Sequence, residues 1–164
     1  MTPDHAAGLE RLLATVAEAG TILLGAGSLD TLVPRVLSLL GEGLDVDRAY
    51  LCEYHLDEQT AAPVSTQRYA WQRPQPGAPD HPVDKPCEPL SNDLYKRLSA
   101  GRAYSGLVRD IPPAQRAALE QRGVRSLIVV PVLLRGSFWG FAGFEDHHTD
   151  RVWTATEESL LFTL

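Results

Sequence analysis

The chain has 164 residues, 22% of them charged, and a net charge of −6, which suits one domain spanning 1–164. Its 15 Lys and Arg form no basic stripe with interleaved aromatics, so nucleic acid is excluded as the expected partner. No apolar run reaches the ~20 residues of a membrane span, and Asp4, His5 and Glu10 interrupt any signal-peptide pattern. A cytoplasmic protein without membrane insertion is therefore expected, and its only two cysteines, Cys52 and Cys87, are expected to be reduced thiols, with an oxidised pair as the alternative.

Leu9, Leu12, Leu13, Val16, Ala19, Ile22 and Leu23 recur at three- and four-residue steps and predict a helix over 5–24, stopped by Gly25 and Gly27. A second helix follows, capped by Ser28 or Asp30, with its stripe from Leu29 to Leu40 and Pro34 in its first turn. The alternation from Val46 to Leu56 predicts a strand; Asp57, Glu58 and Gln59 make a turn, and Ala62 to Trp71 completes a hairpin. Six prolines between Arg73 and Pro89 forbid regular structure there and predict a long ordered loop or lid.

Ser91 opens a third helix that runs to Gly101, and an extended piece lies at Ala103-Tyr104-Ser105. Ile111-Pro112-Pro113 begins a fourth helix that stops at Gly123. Strands at 125–134 and 138–145 are joined through Arg135-Gly136-Ser137, and Pro131 marks a bulge or an edge. Thr154 with Glu157 forms a capping box for a last helix, 154–164, which looks cut short.

The stretch Gly123-Val124-Arg125-Ser126-Leu127-Ile128-Val129-Val130-Pro131-Val132, followed by Gly136 to Asp146, Arg151-Val152-Trp153-Thr154 and Glu157-Glu158, resembles GAF domains found beside bacterial sensor histidine kinases. Leu98 to Arg102 and Asp110-Ile111-Pro112 fit the same resemblance. It implies an α/β (α+β) fold: a central antiparallel sheet, N- and C-terminal helices on one face, and shorter helices and loops roofing a cavity on the other. The Asn-Lys…Phe…Asp-Glu signature of cyclic-nucleotide binders cannot be placed. Pigment-binding members carry a cysteine commonly followed by His, whereas Cys87 precedes Glu88 and Cys52 precedes Glu53. The family's free methionine sulfoxide reductase uses several cysteines, which two scarcely supply.

Tyrosine and tryptophan combine apolar bulk with a polar tip, so Tyr50, Tyr54, Trp71, Tyr95 and Tyr104, with Ser126, are the candidate ligand contacts. The strand alternation puts Tyr50, Cys52 and Tyr54 on one face, and that face is weighted toward the cavity. Glu145, Asp146, His147 and His148 could tune one another as acid and base, but read better as a polar loop. His81 in the proline-rich loop reads as a solvated histidine. No catalytic residue, metal ligand or named cofactor is expected. The resemblance implies a sensory or regulatory module that binds an unknown small molecule as a homodimer and relays it to an output domain. The alternatives are a ligand-free dimerisation or spacer module and a thiol-dependent reductase.

Overall fold

Leucine-type residues at helical spacing, halted by glycine, produce the first two elements of the computed structural model, which describes residues 3–77 and 84–164 and side chains from residue 6 onward. Helix α1 spans Pro3–Leu23 and α2 spans Leu29–Gly43, with Ser28 in extended backbone as the N-cap of α2. Pro34 falls in the second turn of α2 rather than the first, so the Asp30 carbonyl lacks its helical donor.

Strand β1 (Arg48–Leu56) turns into β2 (Pro63–Gln72) through a loop pinned by the Asp57 carboxylate, which accepts the amides of Gln59 and Thr60. The proline-rich stretch contributes a short strand, β3 (Lys85–Pro86), where its prolines predict only loop. Helix α3 (Asn92–Ser99), capped by the Ser91 hydroxyl, leads to β4 (Tyr104–Leu107), a 3₁₀ turn at Val108–Asp110, and α4 (Pro113–Gln121). Strands β5 (Ser126–Leu134) and β6 (Ser137–Asp146) meet at a tight turn where Arg135 and Gly136 both take positive φ, matching the right-handed strand twist. The capping box forms as read: the Thr154 hydroxyl accepts the Glu157 amide and Glu157 accepts the Thr154 amide, opening α5 (Ala155–Phe162).

The six strands form one antiparallel sheet in the order β3-β2-β1-β6-β5-β4. Pro131 sits beyond the last residue paired with β4, so its missing donor faces an open edge, and the register slips one residue later, between Val132 and Leu133. One face of the sheet presents Ala49, Ile128, Val130 and Phe144 to α1, α2 and α5, joined by Val46 just ahead of β1. The other presents Tyr50, Cys52, Leu127, Val129 and Phe141 to α3, α4 and the β3–α3 segment. Gly41 lets α2 descend onto β2, because a Cβ there would enter the Trp71 ring. No described helix is long and apolar enough to cross a membrane.

The expectation of two free thiols is overturned: Cys52 and Cys87 form a disulfide. Pairing of β3 with β2, continued by the Cys87 amide donating to the Ser65 carbonyl at 2.9 Å, carries Cys87 back over the sheet to Cys52. Residues 35 positions apart meet through a strand pairing that spacing alone does not announce.

Candidate functional site

Between the second face and its roof lies a cavity of about 600 Å³, within the range of small-molecule sites. Its floor is Tyr50, Leu127, Val129 and Phe141; its roof is Leu90, Leu94, Ile111 and Leu119. The disulfide fastens the roof segment after β3 to the middle of β1, and Cys87 itself lines the cavity.

A buried charge cluster sits at one end of the floor. Register places Arg48 of β1 opposite Glu145 of β6, and alternation points both to the cavity face. Arg48 donates to both Glu145 oxygens at 3.3 Å and to the Gln67 side chain, and its guanidinium lies 4.5 Å from the Tyr50 ring centroid. Arg122, just past α4, reaches the same carboxylate at 3.0 Å, and His147 Nε2 lies 3.3 Å from it. Burial alone would raise the Glu145 pKa, but the His147 contact and the charges of Arg48 and Arg122 outweigh it and hold the carboxyl at about 2. Burial, reinforced by the neighbouring Glu145 charge, pushes the Tyr50 phenol well above its ordinary value. Gly143 makes room for that phenol, since a Cβ there would collide with the ring. The Arg48 Nε remains buried without an acceptor among the described residues.

Of the six residues nominated from sequence, Tyr50 and Tyr104 line the cavity. Tyr54 and Tyr95 stack on each other with centroids 5.0 Å apart and close on Phe138, forming an aromatic cluster outside the lining. Trp71 and Ser126 belong to the opposite face. Trp71 pairs with Ala49 and packs over Gly41, and Ser126 shares the side of Ile128 and Val130. The bulge between Leu51 and Cys52 causes the first displacement: Gln67 faces the cavity, but beyond the slip Ala70 does so and Trp71 turns away. His81 lies outside the described residues.

The Glu145–His148 run is not a loose polar loop. Glu145 is fully buried, and Asp146 accepts the amides of His148 and Thr149 and the Thr149 hydroxyl, which fixes the turn after β6. Asp47 accepts the His147 amide at 2.7 Å and contacts His148 Nδ1 at 3.0 Å. Sequence reading missed Arg48, Gln67 and Arg122 as cavity residues. Arg48 alone carried a signal, because it shares the strand parity of Tyr50.

The family model of the GAF domain matches residues 28–164. A methanogenesis regulatory histidine kinase of Methanothrix harundinacea is 37% identical over 155 residues, covering 93% of this chain but 17% of that protein. Solved structures share the fold at low identity. The chromophore-binding domain of a Stigmatella aurantiaca phytochrome superposes with a TM-score of 0.71 at 12% identity, covering 93% of this chain and 56% of that one. A phycocyanobilin-bound GAF domain of a cyanobacterial phytochrome gives 0.65 at 14%, covering 98% and 89%. A far-red absorbing dark state with bound biliverdin gives 0.69 at 13%, covering 95% and 92%. With 137 consecutive positions matched and the sheet, helices and roof in place, the chain belongs to the GAF domain family.

Proposed function

We propose that this domain is the sensory module of a larger signalling protein, a sensor histidine kinase or related regulator, and that it senses rather than catalyses. A small molecule in the cavity favours one packing of the α3 and β3–α3 roof against the sheet. The helices on the opposite face, α1 and α5, carry that preference to the output domain. Tyr50 and Tyr104 are ligand contacts, and the outer face of α1, with exposed Leu13 and with Leu24 just past its end, supplies a homodimer contact. The observation that carries the proposal is the cavity itself: about 600 Å³, floored by the central strands, exceeds the ~300 Å³ at the lower bound of small-molecule sites. The histidine kinase relative supports a kinase as the parent.

Native mass spectrometry and calorimetry with metabolite pools test the ligand, and the full-length protein tests the relay. Leu94→Trp, on the half-buried roof, fills the cavity without entering the sheet. Its expected effect is loss of binding and of ligand-dependent output with an unchanged circular dichroism spectrum. A protein that binds no small molecule, and whose output is the same with Leu94→Trp, is a spacer and not a sensor.

A further inference from the structure

We infer that the cavity takes an amphipathic anion, an acidic head group attached to an aromatic or aliphatic body. This inference rests on the sensory reading above and narrows it.

The chain is acidic, with a net charge of −6, yet among the described residues six basic side chains and only two acidic ones line the cavity. Lys85 comes from β3, Lys96 and Arg97 from α3, and Arg102 from the turn before β4, so separate segments of the roof and rim converge with the same sign. The acids are Glu88 and Asp93. Among the described residues, Lys85, Lys96, Arg97 and Arg102 have no carboxylate partner in an ion pair. Arg48 and Arg122 share the single Glu145 carboxylate at one end of the floor, so that cluster is also left cationic. The Arg48 side chain is only 10% exposed, and its Nε–H has no acceptor among the described residues.

A concave site with apolar walls focuses the field of its charges and strengthens it over that of the same charges on an open surface. The walls decide the rest of the ligand. Leu94, Ile111, Leu119, Leu127, Val129 and Phe141 offer no hydrogen-bonding side chain, which suits an apolar body. Charge and apolar surface occur in one enclosure, and the ligand must combine the same two properties.

The test uses matched pairs: 1-naphthaleneacetate with 1-naphthaleneacetamide, and 4-phenylbutyrate and indole-3-acetate with their amides, each titrated calorimetrically into the 164-residue chain. The acid of at least one pair is expected to bind about tenfold or more tighter than its amide, with the gap shrinking between about 50 mM and about 500 mM salt. Lys96→Gln combined with Arg102→Gln should weaken the acid and leave the amide unchanged. Amides that bind as well as their acids, or a double variant that weakens both alike, overturn the anion assignment while leaving a ligand cavity intact. Failure of acids and amides alike overturns the assignment too; the sensory reading falls with it only if metabolite pools also give no bound species.

Discussion

The two faces of the sheet solve different problems with the same strands. The helix-covered face is filled: Phe144, Ile128, Val130 and Ala49 meet α1, α2 and α5, and Trp71 occupies the notch left by Gly41. The cavity face leaves about 600 Å³ open and surrounds it with charge, a disulfide and short elements. Apolar packing stabilises the first face through contact with neighbours. The second must hold its shape around empty space, so it relies on bonds that do not need filling: an ion-pair cluster and a covalent tether. A protein that binds a changing occupant gains from keeping these two jobs on opposite sides of one sheet.

The largest expected effect comes from cutting into the filled face. Phe144→Ala should cost ~3–5 kcal/mol in urea unfolding, because a fully packed ring leaves a cavity behind. Phe141→Ala, equally buried but bordering space already open, should cost less by roughly 1 kcal/mol. Equal losses would show that the two faces are packed alike and that the contrast is false.

The covalent tether comes next. With 35 positions between Cys52 and Cys87, the chain-entropy relation gives about 4 kcal/mol for closing that loop, so Cys87→Ser should lower stability by that order. Thiol titration of the native oxidised chain should find no reactive group. Two titrating thiols, with Cys87→Ser as stable as the parent, would remove the tether from the account.

Much of this division was legible in the sequence, and the failures share a cause. Helix stripes, the Ser91 cap, the Thr154–Glu157 box and the Pro131 edge depend on residues within a few positions of one another, and local pattern captures them. Tyr50 was placed on the cavity side by alternation along a single strand, and it lines the cavity, as does Tyr104. Trp71 does not, because the slip beside Leu51 reverses the parity of β2, and a bulge is a property of two strands. Ser126 opens a continuous apolar run in which both parities look buried, so nothing local selects its face. The disulfide and the Arg48–Glu145 pair bridge 35 and 97 positions, distances at which only tertiary structure brings charges and sulfurs together.

Acid should expose the ionic half of the comparison. Glu145 has an ordinary value of 4.5 and is held at about 2 in the fold. A lowered folded value contributes stability that is complete above pH 4.5 and disappears as the pH falls toward 2. At 1.36 kcal/mol per unit the contribution is about 3 kcal/mol. Glu145→Gln should therefore be less stable than the parent by about that amount at pH 7, with the difference closing between pH 4.5 and 2, read from denaturant midpoints across the range. Parallel curves for parent and variant would mean that Arg48 and Arg122 do not depend on this carboxylate.

The smallest effect separates the faces most cleanly. Ser126 is fully buried on the filled side, and its hydroxyl has no hydrogen-bond partner among the described residues. An unsatisfied hydroxyl in an apolar core costs free energy, so Ser126→Ala should leave stability unchanged or raise it by up to ~1 kcal/mol. Because the side chain points away from the cavity, the same variant should bind any cavity ligand with the parent's affinity by calorimetry. Tyr50→Phe, two strands away in the sheet order and on the other face, should lose affinity by removing a phenol beside the Arg48–Glu145 cluster. A Ser126→Ala variant that weakened binding as Tyr50→Phe does would mean that the sheet transmits strain between its faces, and the division of labour would then be between layers that communicate through the strands themselves.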